Sequence, residues 1–237
     1  MKPVLVLQHM DTDGPAYLAT WLVANGVPFE VRNSASGEAF PDSMDGFGAL
    51  AVLGGEMSVN DDLPSLRRAE ALIRESMALD RPVIGHCLGG QLMARALGVR
   101  VTDSPAPEIG WQPLRVHGHA EARGWFGEAD ELTVFQWHYE AFELPPGAIA
   151  LAGSAACTHQ AFAIGPHLAM QFHVEVDAHK LALWSASRDP DFLRLQRECP
   201  TVQSGEGMRK EGVAALRAQQ ALADRLYARW LGIGQRR

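Results

Sequence analysis

The stretch 81–92, RPVIGHCLGGQL, decides the fold of this chain. Its first half contains an apolar run at 82–86 that is typical of a buried strand, and its second half begins a helix predicted over 88–97. A strand that turns through Gly-X-Cys-X-Gly directly into a helix is a nucleophile elbow, with Cys87 where serine more often stands. A buried strand joined so closely to a helix favours an α/β protein.

The segments before this elbow repeat the alternation of strand and helix. Strands are predicted from the apolar runs at 4–7 and 49–53 and from the short alternation at 29–31. Helices follow the first and third of these strands. Asp13 is interpreted as the cap of the first helix, and one of the aspartates at 61–62 as the cap of the second. This order predicts parallel strands with right-handed crossovers, covered by helices on both faces.

Beyond residue 100 the pattern changes to short strand-like runs separated by Gly and Pro turns, which predicts antiparallel additions at the sheet edge. These runs cover 114–117, 133–137, 148–152, 160–164 and 168–172. We therefore expect a flavodoxin-like, doubly wound three-layer α/β/α fold with a mostly parallel central sheet and antiparallel edge strands. The expected organisation is a single domain over 1–237 with a C-terminal helical extension over about 178–237.

Composition narrows the class of protein. The 237 residues are 47% hydrophobic and carry a formal net charge of -7, which argues against a general binder of nucleic acid or anionic membranes. The three cysteines, Cys87, Cys157 and Cys199, are too few and odd in number for a disulfide framework, so a reducing, cytoplasmic location is expected. No apolar run approaches the roughly 18 residues of a membrane span.

Neither nucleotide-binding nor metal-binding patterns stand out. The chain contains no GxxxxGK[ST] and no GxGxxG, so ATP and dinucleotides have no sequence support. His117 and His119 lack a third ligand at recognisable zinc spacing, and a polar turn is the preferred interpretation. We expect no cofactor and no metal ion.

Cys87 is the predicted nucleophile. The turn holds its sulfur at the carboxyl edge of the sheet, where the dipole of the following helix favours the thiolate. The backbone amide of Leu88 is well placed to help hold an oxyanion. A small buried apolar cysteine is the alternative. The Gly-X-Cys-X-Gly turn between strand and helix favours the nucleophile.

A base for this nucleophile is predicted in LAMQFHVEV, residues 168–176. His173 and Glu175 are two positions apart, so on extended backbone they face the same side. Glu175 can hold one imidazole nitrogen while the other nitrogen faces the sulfur. Alone, a His-X-Glu pair is most often an ordinary strand or loop feature, but together with the elbow it indicates a Cys-His-Glu triad.

The cysteine segment GHCLGGQ, followed much later by QFHVEV, resembles the class I glutamine amidotransferases, and most of all their stand-alone, GMP-synthase-like members. The likeness extends over most of the chain. LGGEMSVND at 53–61 resembles the oxyanion loop of that family, and EIGWQPL at 108–114 and FQWHYEAFELPPGA at 135–148 resemble further family segments.

The resemblance implies a glutaminase-type mechanism. The thiolate of Cys87 would attack the γ-amide carbon, and the backbone amides of Gly55 and Leu88 would hold the oxyanion. His173, supported by Glu175, would protonate the leaving ammonia, after which water would hydrolyse the γ-glutamyl thioester.

The resemblance also implies a substrate site. At two positions this chain departs from the family pattern. Gln91 matches the glutamine that contacts the substrate in the family, and His138 and Tyr139 match positions that touch its α-amino and carboxylate groups, mostly through backbone. Glu56 and Val174 stand where the family often has proline. The carboxylate of Glu56 is hypothesised to recognise a cationic group on the substrate.

Three functions stay open at this point. The first is hydrolysis of glutamine with delivery of ammonia to a synthetase, which must be a partner chain because no synthetase domain or ATP site is predicted here. The second is hydrolysis of γ-glutamyl peptides, conjugates or amines with the same triad. The third is a catalytically silent binding or regulatory subunit. Neither nucleic acid nor membrane is an expected partner.

Overall fold

In the computed structural model, which describes residues 2–234, nine strands form one mixed sheet. The strands are β1 (Val4–Gln8), β2 (Phe29–Asn33), β3 (Ala49–Val52), β4 (Val83–His86), β5 (Val101–Val116), β6 (Glu131–Phe142), β7 (Ile149–Gly153), β8 (Ala161–Ile164) and β9 (His167–Met170). The helices are α1 (Ala16–Ala24), α2 (Pro64–Ala78), α3 (Leu88–Ala96), α4 (Ala120–Phe126), α5 (Ala178–Ser185), α6 (Pro190–Glu198) and α7 (Gly205–Trp230). None of these helices is long and apolar enough to cross a membrane.

The strand order is β2-β1-β3-β4-β9-β8-β7-β5-β6. The pairs from β2 to β9 are parallel, and the pairs from β9 to β6 are antiparallel, so the predicted parallel core with antiparallel additions is confirmed. The last strand of the chain, β9, lies beside β4 in register, with Ile84 opposite Leu168 and His86 opposite Met170. This pairing brings the segment that follows β9 next to the elbow that follows β4.

The central strands are apolar on both faces because helices cover both faces. Alternate residues of β1 point to opposite sides. Val4 and Val6 join the core that includes side chains of α1, α4 and α7. Leu5 and Leu7 join the core that includes side chains of α2 and α3. The predicted three-layer arrangement is confirmed by this division of the core.

The antiparallel strands β5 and β6 are longer than the sequence indicates. The predicted runs at 114–117 and 133–137 are only parts of a long hairpin in which β5 covers 16 residues. The pairing shifts register between Asp103 and Glu108, where Pro105 lies. Proline lacks the amide hydrogen that a regular ladder needs, and an irregular stretch accommodates it without ending the strand.

The two predicted helix caps are wrong. Asp13 does not cap α1, which begins after Pro15, because its side chain is buried and accepts a hydrogen bond from Lys180 Nζ instead. The aspartates at 61–62 do not cap α2, which begins at Pro64 without a side-chain cap. Proline in the first turn has no amide hydrogen to satisfy and sets a helical φ, so a capping side chain is less needed there.

Close packing of the elbow against β3 generates a stability prediction. A Cβ atom on Gly89 would overlap the carbonyl oxygen of Val52, which cannot move without disturbing the sheet. We expect Gly89→Ala to lower the free energy of unfolding by about 1–3 kcal/mol, as overpacked sites do. The control is Gly118→Ala, because nothing lies within 4 Å of a Cβ at Gly118. Urea denaturation measures both variants, and equal midpoints would contradict the close packing of the elbow.

Candidate active site

Cys87 occupies a strained position between β4 and α3. Its backbone has φ 49° and ψ -108°, a conformation that residues other than glycine rarely adopt. The amide of Cys87 donates to Met170 O at 2.9 Å, which attaches the turn to β9. Its side chain is only 6% exposed. The surrounding sheet therefore maintains a turn that presents the sulfur at the N-terminus of α3.

His173 and Glu175 follow β9 in a turn, so the predicted extended backbone between them is wrong. β9 ends at Met170, and Val176 N bonds back to His173 O at 3.4 Å. The turn arises because α5 begins at residue 178 and the chain must change direction to reach it. The side chains nevertheless meet, since His173 Nδ1 lies 2.6 Å from Glu175 Oε1.

Burial and neighbouring charges shift the pKa values of His173 and Glu175 in opposite directions. Burial disfavours the imidazolium, but the Glu175 carboxylate and then Cys87 outweigh it and raise the pKa of His173 to about 10. For Glu175, burial favours the neutral acid, yet the charges of His173 and Lys180 hold the pKa of the carboxyl well below its usual range. The pair is therefore an imidazolium bound to a carboxylate over a wide range of pH.

Cys87 and His173 are neighbours without an aligned hydrogen bond. The charge of Cys87 and hydrogen bonding to it both raise the pKa of His173. In the geometry described, however, the thiol points to the carbonyl oxygen of Trp137 at 3.5 Å, and His173 Nε2 has no hydrogen-bond partner among residues 2–234. Hydrogen bonds between catalytic groups are often long or misaligned before substrate binds.

Two residues that were not predicted as part of the site, Trp184 and Gly54, pack against the ring of His173. The ring of Trp184 meets it edge-on with centroids 4.8 Å apart. A Cβ on Gly54 would lie 2.9 Å from His173 Cε1, so only glycine leaves room for the imidazole there. Trp184 lies on α5 and Gly54 follows β3, and no local sequence pattern relates either of them to His173.

His86 lies behind Glu175. Its Nε2 is 3.9 Å from Glu175 Oε2 and 3.3 Å from the hydroxyl of Tyr227. Burial lowers the pKa of His86 despite the nearby carboxylate, which favours the neutral ring. Its contacts with Tyr227 and Glu175 hold the ring of His86 behind the carboxylate. Tyr227 belongs to α7 and was not anticipated.

The two residues of the predicted oxyanion hole lie side by side. A Cβ on Gly55 would be 2.8 Å from Leu88 Cδ2. Leu88 begins α3, so its amide has no acceptor within the helix. The Gly55 amide donates to no acceptor among residues 2–234. Their role as donors to an oxyanion stays a prediction.

The three residues predicted to bind the substrate differ in their burial and in their hydrogen-bond partners. Gln91 is buried, and its Nε2 donates to Glu140 O at 3.1 Å. The side chain of His138 lies between Glu140 O, at 3.1 Å, and Glu108 Oε2, at 3.2 Å. The ring of Tyr139 is 42% exposed. The side chain of His138 is thus occupied inside the protein, and only its backbone is left to contact a substrate.

One group of described residues has the donor atoms of a metal site. Ligand atoms of Glu108, His138 and Cys157 lie within 4.8 Å of one another. Glu108 Oε2 already accepts hydrogen bonds from Ser154 at 2.9 Å and from Gln160 at 2.5 Å. Burial raises the pKa of Cys157 to about 12, which favours the neutral thiol beside Glu108. The group is best described as a buried hydrogen-bond network.

The family model for class I glutamine amidotransferases matches residues 17–181. The chain belongs to this family. A crystal structure of a glutamine amidotransferase from Methylobacillus flagellatus is similar to it, with a TM-score of 0.90 and 36% identity over 100% of this chain and 97% of that one.

Two curated members of the family are also similar. The glutamine amidotransferase-like protein YfeJ of Salmonella typhimurium is 35% identical over 189 residues, which are 74% of this chain and 77% of the relative. A subunit of the glutamine-hydrolysing GMP synthase of Thermoplasma acidophilum is 31% identical over 137 residues, 56% of this chain and 66% of that one.

A cavity of about 410 Å³ borders the loop that follows β3. Its lining includes His9 and Asp11 after β1, Ser34 after β2, and Glu56 and Met57 after β3. Two of these residues are carboxylates, and none of the lining residues is a lysine or arginine. The cavity therefore offers an acidic space at the carboxyl edge of the sheet, beside Gly55.

The buried imidazolium–carboxylate pair predicts a specific dependence of stability on pH. Because the pKa of His173 is about 10, above its ordinary 6.5, the pair stabilises the fold fully below about pH 6.5 and loses its contribution as pH rises through 10. We expect the free energy of unfolding of Glu175→Gln, measured with urea, to be lower at pH 6.5 and flatter up to pH 10. Glu143→Gln, at an exposed ion pair, is the control. Parallel curves for wild type and Glu175→Gln would contradict this assignment.

Proposed function

We propose that this chain hydrolyses the γ-amide of glutamine through a thioester on Cys87. The observation that carries the proposal is the arrangement at the carboxyl edge of β4 and β9. There a cysteine on a strained turn lies beside His173, whose other ring nitrogen is bound at 2.6 Å by the buried carboxylate of Glu175. A nucleophile, a base and a group that orients the base are the parts that acyl transfer requires.

The first step is attack of the Cys87 thiolate on the γ-carbonyl carbon, which forms an S–C bond and moves an electron pair to the carbonyl oxygen. The adjacent amides of Gly55 and Leu88 are the proposed donors to this oxyanion. Such preorganised donors act strongly in a site that excludes water. The N-terminus of α3 adds a favourable dipole for negative charge on the sulfur.

The second step is expulsion of ammonia. Because Glu175 accepts the Nδ1 proton of His173, the Nε2 atom is the one that gives its proton to the leaving nitrogen as the C–N bond breaks. His173 then accepts a proton from water, which attacks the thioester carbon. Glutamate leaves, and the Cys87 sulfur is released for the next cycle.

The glutamate part of the substrate is proposed to bind against β6. Gln91 ties α3 to the backbone of β6 through Glu140 O. This contact fixes the main chain at His138 and Tyr139, which are the proposed contacts of the substrate's α-amino and carboxylate groups. The exposed ring of Tyr139 borders this position.

The fate of the ammonia belongs to the same proposal. One relative of this chain carries the name of a subunit of GMP synthase. We propose, by analogy with the two-chain organisation that this name implies, that a partner synthetase chain receives the ammonia in the cytoplasm. The chain itself contains neither GxxxxGK[ST] nor GxGxxG, so no ATP site for activating an acceptor is predicted in it.

A second candidate function is hydrolysis of γ-glutamyl conjugates. The cavity lined by Glu56 and Met57, the residues after Gly55, is the proposed space for a leaving group much larger than ammonia. Asp11 and Glu56 at its wall favour an amine that carries a further positive charge. The same attack, oxyanion and protonation steps apply, with the amine leaving in place of ammonia. The complete set of groups at the site disfavours the third possibility, a catalytically silent chain.

The nucleophile is tested by substitution. We expect Cys87→Ala to lower the rate of glutamate release by about 10⁴-fold or more, as removal of a nucleophile does in other acyl-transfer enzymes. Cys199→Ser is the matched control, because this cysteine is half-buried and its sulfur hydrogen-bonds only Thr201 among described residues. Release of glutamate is followed in a coupled assay, and full activity in Cys87→Ala would overturn the assignment.

A substrate panel separates the candidates with the same preparations. Glutamine, a neutral γ-glutamyl peptide and a γ-glutamyl diamine are compared by kcat/KM. Preference for glutamine supports the amidotransferase. Preference for the diamine supports the conjugate hydrolase, provided that Glu56→Gln abolishes this preference and leaves the turnover of glutamine unchanged. If none of the three substrates is hydrolysed and a glutamine-like chloroketone does not label Cys87, the catalytically silent chain is the remaining candidate.

A further inference from the structure

A buried lysine lies directly behind the carboxylate of Glu175. Lys180 is in the first turn of α5 and is only 3% exposed. Its Nζ forms an ion pair with Asp13 Oδ1 and lies 3.7 Å from Glu175 Oε1. That oxygen is the one that accepts the hydrogen bond from His173 Nδ1. Full burial of lysine is rare and requires compensation by charged partners.

Asp13 compensates the charge of this lysine and also borders the glycine that packs against the imidazole. It is 3% exposed, and its second oxygen, Oδ2, lies 3.0 Å from the position that a Cβ on Gly54 would take. The same position is 2.9 Å from His173 Cε1, so Oδ2 and the imidazole both border Gly54. Four buried groups with alternating charges thus lie next to one another: His173, Glu175, Lys180 and Asp13.

We propose that Lys180, held by Asp13, is a positioning residue of this site. Its ammonium group shares Glu175 Oε1 with His173, which fixes the rotamer of the carboxylate and limits the negative charge that it presents to the imidazole. Asp13 has two proposed effects, because it neutralises Lys180 and borders Gly54 next to the imidazole of His173. The inference rests on the proposed function in taking His173 as the group that transfers the proton.

The two charges act on His173 with opposite sign. Loss of the positive charge at Lys180 exposes the imidazole to the full charge of Glu175, so His173 should keep its proton to higher pH. Loss of the negative charge at Asp13 removes a favourable neighbour and leaves Lys180 uncompensated, so His173 should lose its proton at lower pH. An ion pair that only held α5 in place, without acting on the imidazole, would leave the pKa of His173 unchanged in both variants.

Other titratable groups face this set, and they do not change in the comparison. His86 and Tyr227 lie behind Glu175 and are neutral, because burial lowers the pKa of the histidine and raises that of the tyrosine. Cys87 faces His173 from α3, and Asp177 faces Lys180 from the start of α5. All four are retained in every variant.

The test is an NMR titration of ¹⁵N-labelled histidine in Lys180→Met, in Asp13→Asn and in the double variant. We expect the pKa of His173 to rise by about 1 in Lys180→Met, to fall by about 1 in Asp13→Asn, and to lie between these values in the double variant. The exposed lysine on α7 supplies the control, Lys210→Met, which should leave the value unchanged.

The outcomes separate the two proposals. Shifts of the same sign, or no shift in either single variant, would overturn the positioning role. Asp13→Asn preserves shape, so its downward shift remains decisive if Lys180→Met does not fold. With active protein, the alkaline limb of kcat/KM for glutamine should move with the titration. Opposite shifts in a protein that hydrolyses no γ-glutamyl compound would support the charge coupling and overturn the proposed function.

Discussion

The site depends on the pairing of β9 with β4. These strands are far apart in sequence but adjacent and parallel in the sheet, so the turns that follow them meet at one edge. The amide of Cys87 bonds Met170 O, and three residues after Met170 the chain presents His173. Without this register, the strained turn at Cys87 would have no imidazole beside it. A stable sheet is thus what brings the proposed nucleophile and base together.

The second constraint is the cost of burying charge. Isolated ions are expensive inside a protein, and removal of one partner leaves the other uncompensated. Here His173, Glu175, Lys180 and Asp13 alternate in sign, which keeps each ion next to an opposite one. The family match ends at residue 181, yet α7 beyond it supplies Tyr227 behind Glu175. The C-terminal helices therefore help to enclose the charged set as well as the core.

The local part of this architecture could be predicted from the sequence, and the non-local part could not. The elbow around Cys87 and the apolar parallel strands follow from turn glycines and continuous hydrophobic runs, which act over a few residues. The partners Trp184 and Lys180 come to the site through the docking of α5, which no periodicity encodes. Asp13 has the residue type of a helix cap, but tertiary ion pairing determines its role instead.

The central claim is that the sulfur of Cys87 carries the γ-glutamyl group during turnover. The most direct measurement is mass spectrometry of protein that is mixed with glutamine, quenched in acid during turnover and digested. We expect a γ-glutamyl adduct on the peptide that contains Cys87, and its disappearance as substrate is consumed. Release of glutamate without any adduct on that peptide, or with the adduct on Cys157 or Cys199, would contradict it.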